Sequence, residues 1–429
     1  MSTKLTANNN KILTEDLPVH DWYRFVLSFP PHLVRQYLQR FEITGDHLVL
    51  DPFAGTGTTL VECKKLKIPS IGIEAHPMSH FASQVKTDWQ GNPAELIDVG
   101  QRVYQEAWKL LDEQGICDLP HFFDAPKGNH LRTLTPQQMR LLLTNSISPL
   151  PLHKALILRD VIFEVAEPVA RYHKLAFAKA VVESASNLHF GPEVGVRKAK
   201  DDAPVLTPWL ENVRTMASDL AECSECAHID SHVILGDSRR PQPEIRPASV
   251  DFVFTSPPYP NEKDYTRTTR LESVLLGYFS DMASLREYKQ QLLRSNTRNV
   301  YKTDDDDKHV AAHDEIQDIA RRIEQRRLEL GKTSGFEKLY ARVTRLYFGG
   351  MASHFNWLRT VLKPGAVLAY VVGDQASYLQ VMIRTGRLLG EIAQSLGYEV
   401  LGIDVFRTRL ATATKELLNE EVLLLRWKG

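Results

Sequence analysis

The stretch Leu48-Val49-Leu50-Asp51-Pro52-Phe53-Ala54-Gly55-Thr56-Gly57-Thr58-Thr59 narrows the choice of fold more than any other part of the chain. A short apolar run ends in an acid, a Gly-x-Gly turn follows, and Thr-Thr-Leu-Val-Glu opens a helix. Glycine takes positive φ and lets a ligand approach the backbone, so strand, turn and helix together make a nucleoside cradle. A second apolar strand, Ser70-Ile71-Gly72-Ile73, ends in Glu74, where a carboxylate can accept from both ribose hydroxyls of that ligand. Two glycines without the third fall short of the full dinucleotide fingerprint.

Far downstream, Val250-Asp251-Phe252-Val253-Phe254 reads as a buried strand, with Thr255-Ser256-Pro257-Pro258-Tyr259 at its carboxyl end. A Pro-Pro-Tyr is common by itself; one that follows a strand in a chain that also carries DPFAGTGTT is specific. On this pair of motifs the sequence resembles the amino-group DNA methyltransferases, which use S-adenosylmethionine. In that family a DPFxGxGTT segment binds the cofactor and a (S/D/N)PP(Y/F) segment holds the base. The Ser-Pro-Pro-Tyr form is most similar to the cytosine-N4 enzymes.

The resemblance covers the Rossmann-like core and implies specific site residues. Asp51, Pro52, Phe53, Ala54, Gly55, Thr56, Gly57, Thr58 and Thr59, with Glu74, Ala75 and Thr255, would hold the cofactor. Asp237, which ends Val233-Ile234-Leu235-Gly236, matches the family acid that meets the cofactor's adenine amino group, with Ser238 beside it; the other reading of Asp237 is a plain strand-end cap. Phe29 and Pro30 match an aromatic-Pro segment that packs on the methionine end; the other reading is a hydrophobic staple at a helix start. Ser256, Pro257, Pro258 and Tyr259 would hold the target base.

The implied fold class is α/β: a Rossmann-like class I methyltransferase sheet with helices on both faces, plus largely helical insertions. Residues 16–94 form the cofactor half of the core and 95–229 a mainly helical insertion, a candidate for target recognition. Residues 230–275 carry the catalytic strand and TSPPY, 276–345 a second, basic helical insertion, and 346–429 the closing half of the sheet. Helices are expected over 98–113, 136–144, 152–166, 169–188, 314–330 and 380–396 from their apolar spacing. Pro149-Leu150-Pro151 is read as punctuation between helices. Residues 1–15 read as a loose arm, and Asp304 to Asp307 as a loop.

Bulk properties exclude little. A net charge of −1 does not advertise nucleic-acid binding, but a local basic stripe suffices for it. Candidates for phosphate contacts are Arg267, Arg270, Arg294 and Arg298 after the catalytic motif, and Arg197 and Lys198 after a Gly/Pro-bearing loop. Four cysteines are too few for a disulfide framework, and no apolar run is long enough to span a bilayer, which points to the cytoplasm. Cys223, Cys226, His228 and His232 are zinc-ligand types, but their second pair follows too closely for a finger, and no metal is expected.

The chemistry expected of such a site is transfer of a methyl group to an exocyclic amine of double-stranded DNA. The amine is a poor nucleophile because its lone pair is delocalised into the ring. Acceptors from the Ser256 hydroxyl and the Pro257 carbonyl would favour a pyramidal nitrogen, Pro258 would stiffen the turn, and Tyr259 would stack on the base. The base must be flipped out of the duplex to reach them. A cytosine-C5 mechanism needs a thiolate, usually after proline, and no cysteine here follows one. Adenine-N6 transfer stays open, because that class uses Asp or Asn where Ser256 stands and serine also accepts. A DNA-binding module with a dead cofactor fold is the non-enzymatic alternative. The resemblance further suggests a restriction–modification or phage-defence setting with a cognate partner protein.

Overall fold

The computed structural model describes residues 12–23, 28–119, 130–191, 193–261, 263–410 and 416–429. Its centre is a seven-stranded sheet whose strands in chain order are β1 (Val49–Asp51), β2 (Ser70–Glu74), β3 (Ser231–Leu235), β4 (Val250–Thr255), β5 (Leu362–Gly373), β6 (Tyr398–Leu410) and β7 (Leu417–Trp427). They lie side by side in the order β3-β2-β1-β4-β5-β7-β6. β1 to β5 are parallel, and β7 runs antiparallel between β5 and β6. The chain leaves β1 in one direction for β2 and β3, then returns to the other side for β4 and β5. The crevice at the carboxyl ends of β1 and β4 is therefore the switch point, where open α/β sheets bind ligands.

Both faces of the parallel strands are covered, which explains their near-continuous apolar sequence. Val49, Phe252 and Phe254 point to one side, into a cluster with Leu33, Val34 and Tyr37 of the helix Pro31–Arg40. Leu50 and Val253 point to the other, against the helices Tyr340–Leu358 and Thr385–Ser395. This is the α/β layering expected from the motifs.

The first insertion shares a hydrophobic cluster with the helices that follow β1 and β2. Helices Pro93–Asp112, Pro149–Phe163, Val169–Ala180 and Leu206–Glu222 pack around Leu156, Phe177, Trp209 and Val213, and Trp22 and Met78 join the same cluster. The second insertion instead merges with the main core through Ile316, Ile319 and Ile323 of the helix Asp314–Glu329.

Local details depart from the sequence reading. Pro149 and Pro151 open a helix instead of separating two, because the first turn of a helix has no use for their missing N–H groups. The helix expected over 169–188 stops at Ala180, passes through one wide turn, Val181–Ala185, and gives a short hairpin of Leu188–Phe190 with Val194–Val196. The acidic run is not a plain loop: Asp306–Val310 form a 3₁₀ turn. The arm expected over residues 1–15 lies largely outside the described residues.

Candidate active site

The glycine turn after β1 is shaped by backbone needs. Gly55 and Gly57 have φ of +53° and +86°. A Cβ on Gly57 would meet the Ser83 hydroxyl at 2.6 Å, whereas one on Gly55 would meet nothing within 4 Å, so the turn packs on one side and is open on the other. Two carboxylates border this turn. Glu74 accepts from the Gly55 N–H and the His76 N–H, each at 2.7 Å. Asp51 accepts from the Thr255 hydroxyl at 2.6 Å and from the Phe53 N–H at 3.1 Å through Oδ1.

Asp51 Oδ2 is buried without a hydrogen-bond partner among the described residues. Loss of water pushes Asp51 up to about 6 and Glu74 up to about 7, despite the hydrogen bonds that oppose it. A buried orphan acceptor, a second desolvated acid and an open glycine turn suit a ligand rich in hydroxyl and amino donors. These residues fit a nucleoside cofactor.

Phe29 and Pro30 line a cleft together with Thr56 and Thr58 of the turn, and His20 and Lys86. Phe29 also meets Phe254 edge-on, with ring centroids 5.4 Å apart, so the aromatic-Pro segment is anchored to the underside of β4. Asp237 is engaged within the chain: Arg239 donates to both its oxygens, at 2.9 and 2.7 Å, and reaches Asp306 at 2.6 Å. Ser238 is buried, and its carbonyl meets His354 Nδ1 at 2.8 Å. His354 bonds the Tyr370 hydroxyl at 2.6 Å and lies under the Phe53 ring, centroids 5.0 Å apart. Burial lowers its pKa to about 4, so it is a neutral support behind the turn. Sequence reasoning missed His354, a single histidine in an apolar helix with no motif around it.

The parallel register Val49↔Phe252 and Leu50↔Val253 brings the turn after β4 beside the turn after β1. Ser256 donates its hydroxyl hydrogen to the Val371 carbonyl at 3.0 Å. Its lone pairs are thereby left to accept. Tyr259 lies against Gly373, where a Cβ would come within 2.9 Å of the ring. Ser256, Pro258 and Tyr259 are partly exposed and Pro257 is buried, so the turn presents two polar side chains on a stiff, anchored backbone.

The basic residues divide. Arg197 and Lys198 are exposed beside the short hairpin, Arg197 meeting His189 at 2.9 Å. Arg298 lies over the Phe336 ring at 5.6 Å and Arg267 is partly exposed. Arg294 is a correction: only 3% exposed, it donates to both Asp304 oxygens at 2.9 Å and so cannot reach a phosphate. Arg270 likewise turns inward, donating to the Thr266 and Leu141 carbonyls. The aspartate run therefore has a structural use that the sequence did not reveal: Asp304 holds Arg294 and Asp306 holds Arg239. Among the described residues no group of three or more His, Cys, Asp or Glu side chains could hold a metal ion.

A family model described as DNA methylase, of the N6/N4 type, matches residues 4–83, which contain the aromatic-Pro segment, the glycine turn and Glu74. Type II methyltransferase M.BsoBI of Geobacillus stearothermophilus is 25% identical over 93% of this chain and 82% of its own length. Type II methyltransferase M.AvaI of Nostoc sp. is 24% identical over 93% and 83% respectively. The chain is similar to the N4/N6 DNA methylase family model over residues 4–83 and to type II methyltransferases along nearly its whole length. Over a shorter span, M.MjaII of Methanocaldococcus jannaschii is 41% identical, covering 24% of this chain and 19% of that protein. Relatives along nearly the whole chain are thus type II methyltransferases, which supports an enzymatic role in DNA methylation, with DNA as the partner. Among the described residues no helix is long and apolar enough to cross a membrane.

Proposed function

We propose that the chain is a cytoplasmic, S-adenosylmethionine-dependent methyltransferase that modifies the exocyclic N4 of cytosine at a specific site in double-stranded DNA. The observation that carries this reading is the meeting of the two motif turns through the Thr255–Asp51 hydrogen bond, which sets the acceptor Ser256 beside the glycine cradle. Ser-Pro-Pro-Tyr, and not an Asp or Asn form, is what favours cytosine.

The cofactor, when bound, supplies an electrophilic methyl on a sulfonium sulfur. Asp51 and Glu74 would take its hydroxyl and amino donors, and Phe29 and Pro30 would flank its tail. Ser256 and the Pro257 carbonyl would accept from the two amine hydrogens of a flipped cytosine and so direct the nitrogen lone pair at the methyl. Tyr259, backed by Gly373, would stack on the ring. Flipping costs a few kcal/mol, which the pocket contacts offset. With the methyl supplied by that sulfonium, Ser256 and the Pro257 carbonyl would hold the amine nitrogen in line for it, and the amine would release one proton to solvent. Orientation and proximity supply most of the acceleration, since a serine hydroxyl is no strong base.

The type II relatives suggest a restriction–modification setting, with a cognate nuclease as the companion protein. The deciding experiment is transfer from labelled S-adenosylmethionine to duplex DNA, followed by digestion and mass spectrometry of the nucleosides. N4-methylcytosine is the expected product. N6-methyladenine would overturn the base assignment while keeping fold and site. Cofactor binding with no labelled nucleoside would leave a DNA-binding module instead of an enzyme.

A further inference from the structure

The closing half of the sheet places cations at the mouth of the base pocket, where neither motif assigns them a role. A Cβ on Gly373 would press on the Tyr259 ring, so Tyr259 lies over the face of β5 that a side chain at 373 would occupy. The ladder carries this face outwards. Gly373 pairs with Glu420 of β7, Glu420 pairs with Arg407 of β6, and Arg409 pairs with Leu418. Residues paired across a ladder, and residues two apart along a strand, share a face, so Arg407 and Arg409 stand on the Tyr259 side. Burial raises the pKa of the Tyr259 hydroxyl, the Glu420 carboxylate adds to the rise and Arg409 opposes it, in agreement with the register.

A second cation comes from the catalytic loop itself. Lys263 follows shortly after Tyr259, and its backbone is pinned twice. Its N–H donates to Asn261 Oδ1 at 2.9 Å, and its carbonyl accepts from the Asn296 side chain at 3.0 Å; both asparagines are buried. The Lys263 side chain is partly buried. Burial, then the like charge of Arg409, lowers its pKa, while Glu420 and Glu193 oppose them. Neither acid neutralises the pair directly. Arg407 donates to Glu420 at 3.4 Å, and Glu193 is exposed in the turn of the first insertion's hairpin. Among the described residues no acid is hydrogen-bonded or ion-paired to Lys263 or Arg409.

Two cations that repel each other across a partly desolvated gap call for an anion between them. A nucleotide extruded towards Tyr259 carries its phosphates out of the line of the duplex, to the mouth of the pocket. Resting on the DNA methyltransferase reading above, we propose that Lys263 and Arg409 clamp a phosphodiester of the extruded target nucleotide. They are binding residues that engage once the nucleotide has left the stack, unlike backbone contacts that form with any stretch of duplex.

The test measures two affinities of the full chain for long, unmethylated DNA of mixed sequence, each over a range of salt. One is the DNA concentration that half-saturates single-turnover transfer from labelled S-adenosylmethionine, which requires extrusion. The other is equilibrium binding without cofactor, which unextruded duplex dominates. Replacing both Lys263 and Arg409 by Gln is expected to raise the half-saturating concentration about tenfold or more. Its dependence on salt, on logarithmic axes, should flatten by about two in the double variant and by about one in each single variant. Binding without cofactor and affinity for S-adenosylhomocysteine should each stay within about twofold, and Lys263→Arg should keep the wild-type slope. A transfer slope unchanged in the double variant overturns the clamp. So does an equal loss in both affinities, which would make the pair ordinary backbone contacts. A loss of urea stability in Lys263→Gln with no loss of transfer affinity also overturns it, and would make Lys263 an internal partner of Glu420 or Glu193. If the wild type transfers no methyl to DNA, the enzyme reading falls and the clamp goes with it; a wild type that transfers, with variants indistinguishable from it, sinks the clamp alone.

Discussion

The hydroxyl of Thr255 donates to Asp51 Oδ1 at 2.6 Å, joining residues 204 positions apart. Both are fully buried, and each ends a strand whose following turn carries one half of the site. Thr255→Val keeps the shape but leaves a buried carboxylate oxygen short of a donor, at a cost of about 1–3 kcal/mol. Urea unfolding should show that loss, and titration with S-adenosylhomocysteine should show weaker binding, whereas Thr255→Ser should retain both properties. Unchanged stability in Thr255→Val would mean that the bond does not hold the turns together.

Ser256 donates its hydroxyl hydrogen bond to the Val371 carbonyl and so faces the site as an acceptor. Ser256→Ala removes that acceptor; single-turnover transfer should drop by about a hundredfold or more while cofactor affinity stays within about twofold. Gly373→Ala offers a gentler test of the same pocket, because its Cβ would press on the Tyr259 ring. Transfer should fall there too, again without a change in cofactor affinity. Full activity in Ser256→Ala would remove this serine from the mechanism.

Two kinds of basic residue should answer differently to mutation. Arg197 and Lys198 are exposed beside a hairpin, so replacing both by Ala should weaken DNA binding and flatten the dependence of log K on log salt by about one to two. Arg294 is buried on Asp304, so Arg294→Met should lower unfolding stability by about 3–5 kcal/mol. A salt slope unaltered by the double replacement would exclude Arg197 and Lys198 from the interface.

The legible part of this molecule was the part where local sequence and local backbone need coincide. The glycine turn, the strand-end acids and TSPPY each sit within a few residues of the element that positions them, so pattern alone located them. What the pattern could not give were relationships across the sheet. Arg294 looked like a phosphate contact because its neighbours in sequence are basic, yet its partner Asp304 lies ten residues on in a run with no visible purpose. Asp237 read as the acid that meets the cofactor's adenine amino group, and nothing in the pattern showed that Arg239 donates to both its oxygens. His354 and Lys86 carry no motif, and only the packing of helices against the turn brings them to the site. The prolines at 149 and 151 failed for a different reason, since proline serves both to end a helix and to begin one.

Glu272 supplies a pH test away from the chemistry. It is 1% exposed, accepts from the Tyr23 hydroxyl, and its Oε2 is buried without a hydrogen-bond partner among the described residues. Burial raises its pKa from 4.5 to about 7, against the opposing hydrogen bond from Tyr23. A folded-state pKa above the unfolded one means that the folded protein binds this proton more tightly. The associated stability is fully present below about 4.5 and is lost as pH rises through about 7, where the folded state must carry a buried charge. Glu272→Gln keeps an acceptor for Tyr23 and carries no charge at any pH. The variant should therefore be more stable than the wild type at pH 8 to 9, by roughly 1–3 kcal/mol. That advantage should shrink steadily as the pH is lowered towards 5. Asp51, Glu74 and Glu421 are raised in the same direction, so the wild type alone cannot isolate one carboxyl; the difference between the two proteins can. Paired urea unfolding curves across this range measure it. A constant difference at every pH would mean that Glu272 does not titrate in the window, and that its carboxyl is ionised and satisfied in the folded protein.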